Sequence, residues 1–120
     1  MFTFPCAARH VVNRVVLALV GLLLAFFVWI GYRPEVAGLF PAPWDKFVHL
    51  LFFGLLAGPL YHGMGKRFPL VVMLLCTALG CWDEWRQLDL PGRSASLGDL
   101  VFDVLGALAG VLITGRIRVF

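Results

Sequence analysis

Between Val15 and Tyr32 the chain carries no charged side chain. Crossing the hydrocarbon core of a bilayer takes about 20 largely apolar helical residues, whereas the apolar region of a secretory signal covers only about 7–15. No convincing small-x-small cleavage site follows the run. It is read as an uncleaved first span. Comparable runs follow at about 45–62, 68–87 and 97–114. The whole chain is 61% hydrophobic and 14% charged, against about 25% charged in a soluble domain. Too few polar side chains remain to cover a water-soluble globule, so lipid is the expected solvent. The expected fold is an all-α membrane protein: four transmembrane helices with short loops, both termini cytoplasmic.

The breaks between the runs agree with this division. Pro34, Pro41 and Pro43 exclude a regular helix from residues 33–44. Residues 63–67 form a short basic turn with two glycines, and Pro69 suits the first turn of a helix. Pro91-Gly92 signals a turn, and Ser96 followed by Asp99 fits the Ser-x-x-acid start of a helix. One domain is expected over residues 15–115, between cytoplasmic segments 1–14 and 116–120.

In a four-span arrangement, the termini and the 63–67 turn share one side with Arg9, Arg14, Lys66, Arg67, Arg116 and Arg118, and no acid. The other side holds Arg33, Lys46, Arg86 and Arg93 with all 7 acids. Counting Lys and Arg alone places the first side in the cytoplasm. The net charge of +3 does not suggest nucleic acid, because the basic residues stand singly or in pairs at the ends of apolar runs. The 3 cysteines form no disulfide or zinc pattern and are expected as buried apolar thiols. Trp29, Trp44, Trp82 and Trp85 suit the interfacial belt.

The remaining polar residues gather in two segments that this topology brings to one membrane face. Asp45 and His49 are four apart, hence on one helical face about 6 Å apart along the axis. Glu84 and Gln87 share a face at the end of the third span, and Asp99 and Asp103 at the start of the fourth. Asp103 lies about a turn inside the boundary, where a lone carboxylate costs about 2–3 kcal/mol even on a lenient insertion scale. Its candidate partners are Arg93, Lys46 and His49. The expected binding set is Asp45, Lys46, His49, Glu84, Gln87, Arg93, Asp99 and Asp103, with His49, Glu84, Asp99 and Asp103 as candidate acid–base groups. Each also has a plain structural explanation, as a helix-end cap, a snorkelling side chain or an interhelical hydrogen bond. Asp83, Arg86 and Asp89 are expected as solvated loop residues. His49 with the acids is chemically adequate for a divalent ion, but one usable histidine and no HExxH-type spacing give no metal signature. No metal or cofactor is expected.

Asp45-Lys46-x-x-His49, Glu84-x-x-Gln87, Arg93 with Asp99 six residues on, and Gly106 together resemble the VanZ-like family of small bacterial membrane proteins, over residues 44–110. Asp103 stands where the family is expected to have Asn. The resemblance implies a multi-pass protein of the bacterial inner membrane, within the cell envelope, and the family's founding member is linked to low-level resistance to the lipoglycopeptide teicoplanin. It implies no particular reaction. Three functions remain open. An outer polar site could engage a lipid headgroup, a lipid-linked envelope precursor or a lipoglycopeptide. The same site could act as an acid–base enzyme on an envelope lipid or glycan. The polar pairs could also serve only to lock helices in an assembly partner.

Overall fold

The computed structural model describes residues 5–36, 38–90 and 95–117. These residues form four α-helices, α1 (Cys6–Gly31), α2 (Trp44–Gly63), α3 (Pro69–Gln87) and α4 (Leu97–Arg116), with a 3-10 turn at Pro34–Val36 and no strand among the described residues. α2 to α4 begin and end within two residues of the apolar runs. α1 begins earlier than Val15. Residues 6–14 continue the helix because nothing in them breaks it, and the long side chains of Arg9 and Arg14 can reach outward from a helical backbone.

The tightest pairing joins α2 and α4, which run parallel. Its seam is built from glycine. A Cβ on Gly106 would sit 2.2 Å from the Leu50 carbonyl oxygen, and one on Gly110 would sit 2.5 Å from that of Gly54. Gly54-x-x-x-Gly58 on α2 thus faces Gly106-x-x-x-Gly110 on α4, the small-residue spacing that lets helices approach in lipid. α3 runs antiparallel to α4, with Gly80 against Asp103 near one end. α1 lies along α2, and its Leu17 fills the space beside Gly63. At the far end, Lys66 Nζ donates to the Ile117 carbonyl and ties the turn after α2 to the end of α4.

The bundle measures 50 × 22 × 21 Å, and its polarity is inverted relative to a soluble protein. Leu22, Leu51, Leu70, Leu74 and Leu97 are exposed, while Asp83, Arg86, Asp99 and Asp103 are buried. The apolar interior is small: Phe53, Leu56, Ala57, Val72, Cys76, Ala107 and Val111, with Val20 from α1. Cys76 is buried as expected, but Cys6 and Cys81 are exposed. Cys81 faces outward from α3, where a lipid surround does not require its burial, and Cys6 lies ahead of the first apolar run with its thiol 3.5 Å from His10 Nε2. By length and composition, α1 and α4 are apolar enough to cross a membrane. α2 and α3 are 20 and 19 residues long, about 30 Å each at the helical rise, and carry most of the polar site.

Candidate functional site

The site lies at the end where α1 and α3 finish and α2 and α4 begin. The parallel register of α2 and α4 sets its first contacts. His49 Nδ1 is 2.7 Å from Asp103 Oδ1, and one turn nearer the surface Lys46 Nζ donates to Asp99 Oδ1 at 3.0 Å. Lys46 is also 3.8 Å from Asp45 Oδ2. Of the three candidate partners for Asp103, the structure supplies His49. Lys46 is taken by Asp99, and Arg93 lies outside the described residues.

α3 adds a third wall. The Ser96 backbone N–H donates to Glu84 Oε2 at 2.6 Å, while Ser96 Oγ accepts from the Asp99 N–H at 3.4 Å. Ser96 therefore caps α4 and at the same time fastens it to α3. Gln87 is turned inward and donates to Asp83 Oδ2 at 2.9 Å.

Asp83 and Arg86 are not the solvated loop residues expected of them. Both belong to the last turns of α3 and are buried, at 2% and 7% exposure. Arg86 donates to Asp83 Oδ1 and to the Val28 carbonyl at the end of α1. Its guanidinium stacks on Tyr32 at 4.5 Å and on Trp82 at 4.7 Å. Gly31 makes room for it, since any Cβ there would collide with the guanidinium nitrogens. An arginine with this many donors and a planar face can link a carboxylate, a carbonyl and two rings at once. Asp89 is exposed beyond the end of α3.

A cavity of about 410 Å³ opens beside these groups, within the usual range of about 300–1,000 Å³ for a small-molecule site. Asp45, His49, Asp83, Gln87 and Asp99 form its polar floor. Phe26, Phe27 and Ile30 of α1, Val48 and Phe52 of α2, and Phe40 of the connecting loop form its apolar walls. Phe27 and Phe52 stack at 4.3 Å, which holds the two helices at the width of the cleft.

The charges around the floor do not balance among the described residues. Asp45, Asp83, Glu84, Asp99 and Asp103 surround the fixed cations Lys46 and Arg86 and the titratable His49. Three of the carboxylates keep a buried oxygen without a hydrogen-bond partner among the described residues: Asp45 Oδ1, Glu84 Oε1 and Asp103 Oδ2. Such an arrangement has chemical capacity to spare. It can accept hydrogen bonds from a guest, hold a cation, or take up a proton.

His49 and its partner also have the form of an oriented base. With Nδ1–H donating to Asp103, Nε2 keeps its lone pair. Gly54, Gly58, Asp83 and Arg86 are the residues that the reading of the sequence missed. The repeated Gly-x-x-x-Gly spacing was the available signal for the first two.

The family model described as VanZ/LLP1 matches residues 3–118, which extends the resemblance seen over residues 44–110 to nearly the whole chain. No curated protein and no solved structure matches it.

Proposed function

The chain belongs to the VanZ/LLP1 family, and from that premise we propose that it is a multi-pass protein of the bacterial inner membrane that binds the polar head of a cell-envelope amphiphile at its extracytoplasmic face. The guest class is a lipid headgroup, a lipid-linked precursor or a lipoglycopeptide. The observation that carries this reading is the cavity itself, with acids and a histidine at its base and phenylalanines along its sides. Its volume suits a head and the start of a chain, not a whole lipid.

The inverted polarity of the bundle and the two strongly apolar helices support a membrane setting. The four apolar runs support four spans, and the positive-inside count supports cytoplasmic termini. That topology puts the 63–67 turn, bonded to the end of α4 through Lys66, on the cytoplasmic side. Trp29, Trp44, Trp82 and Trp85 then occupy the outer interface. Asp45, Lys46, His49, Glu84, Gln87 and Asp99 would form the binding surface, with Asp103 beneath them; Arg93, outside the described residues, belongs to the same proposed set.

The carboxylate excess narrows the guest. Lys46 and Arg86 are already paired, so they offer little to a bare phosphate. A head rich in hydroxyl or amino donors matches the orphaned oxygens best.

Native mass spectrometry of the detergent-purified chain tests the proposal. An amphiphile retained by the native chain and lost from Val48→Trp, which fills the cavity, is the expected result. Equal retention by both forms would refute it.

The 2.7 Å contact of His49 with Asp103 favours one second reading, in which His49 Nε2 acts as general base on an envelope lipid or glycan. Product formed from a labelled lipid-linked substrate in a single turnover would favour this enzyme over the binder.

A further inference from the structure

Three helices each deliver one donor to a common point inside the bundle. His49 of α2, Glu84 of α3 and Asp103 of α4 offer atoms that all lie within 4.8 Å of one another. Glu84 is 8% exposed and Asp103 0%. Each keeps one oxygen, Glu84 Oε1 and Asp103 Oδ2, that has no hydrogen-bond partner among the described residues. Two carboxylates from separate helices are thus packed close together in a low-dielectric interior, each with unused acceptor capacity. Among the described residues the fixed cations at hand do not serve them: Lys46 bonds to Asp99, and Arg86 bonds to Asp83.

We propose that His49, Glu84 and Asp103 form a binding site for one divalent transition-metal cation, Mn²⁺ or Zn²⁺. One imidazole and two carboxylates are the donors such ions take, softer than the all-oxygen sets of Ca²⁺ and Mg²⁺. The spacing of the ligands hides the site from a linear reading, because no two of them share a helix.

The surroundings hold the donors in place. Glu84 is anchored through Oε2 by the Ser96 N–H. Gly80 makes room for the Asp103 carboxylate between α3 and α4, since a Cβ there would stand 2.8 Å from Asp103 Oδ2. Three protein donors leave at least one coordination position open, and His49 also lines the cavity.

A bound cation offsets the carboxylate excess and offers that open position to an oxygen of the guest. This last role rests on the amphiphile reading; the cation site does not.

The test uses the full-length, tag-free chain in detergent, stripped with a chelator and then titrated. Mn²⁺ uptake is followed by loss of the free-ion electron paramagnetic resonance signal, and Zn²⁺ uptake by calorimetry, with no lipid added. One saturable site per chain is expected, weakened at least roughly tenfold by Glu84→Gln and by Asp103→Asn, and unchanged by Asp89→Asn. Glu84→Gln still offers an oxygen to the Ser96 N–H, so it remains informative should Asp103→Asn fail to fold. A folded native chain that takes up neither ion saturably overturns the proposal, as does a folded Glu84→Gln that binds both as tightly as the native chain. Saturable uptake by a chain that retains no amphiphile would sustain the cation site and refute the function proposed above. Retained amphiphile without saturable uptake would do the reverse.

Discussion

Gly106 meets the Leu50 carbonyl oxygen so closely that a single Cβ would stand 2.2 Å from it. The obstacle is backbone and cannot rotate away. This contact sets the separation of α2 and α4, and so the 2.7 Å reach from His49, the residue before Leu50, to Asp103, one turn before Gly106.

Gly106→Ala is therefore expected to push the helices apart, at a cost of about 1–3 kcal/mol or more. Lower melting temperature and lower accumulation in the membrane are the readouts. Gly21→Ala, where an added Cβ meets nothing within 4 Å, should be neutral or slightly stabilising. Equal effects at both positions would refute the seam.

His49→Ala should be more harmful alone than together with Asp103→Asn. The single change leaves a fully buried carboxylate without its partner, at a cost of about 3–5 kcal/mol. The amide removes the charge, so the double variant should recover part of the melting temperature. Strict additivity would mean that the two side chains do not interact in the folded protein.

Arg86→Lys is not conservative here. A lysine cannot bond to both Asp83 and the Val28 carbonyl while stacking on Tyr32 and Trp82. A loss of about 1–2 kcal/mol is expected from the stacking and donor loss together. A cysteine pair across the ends of α1 and α3 should also cross-link less efficiently. An unchanged melting temperature and cross-linking yield would show that α1 is held by α2 alone.

The orientation can be read by cysteine labelling in a background lacking Cys6, Cys76 and Cys81. Cysteines at Asp45 and Asp89 should react with a membrane-impermeant maleimide from outside the cell. A cysteine at Gly65 should react only after permeabilisation. Labelling of residues 45 and 89 from opposite sides would dismantle the four-span topology.

The helices were legible because apolar runs and proline breaks are local signals. Ser96 capping Asp99 was legible for the same reason. The pairings at the site were legible only as candidates, since which acid meets which base depends on the parallel register of α2 and α4. Asp83 and Arg86 were misread because a charged pair near a helix end looks the same whether water or another helix covers it. What covers them is the end of α1, more than 50 residues away in sequence. Gly54 and Gly58 carried a spacing signal that becomes decisive only beside its match on α4.

The turn after Gly63 divides the functional groups unequally. Everything before it supplies His49 and the aromatic side of the cleft; everything after it supplies Glu84, Asp99 and Asp103. Neither half is sufficient, yet the glycine seam lies between them, not within either one. Two separately expressed fragments, split at that turn, thus carry the information needed to recognise each other and rebuild the centre.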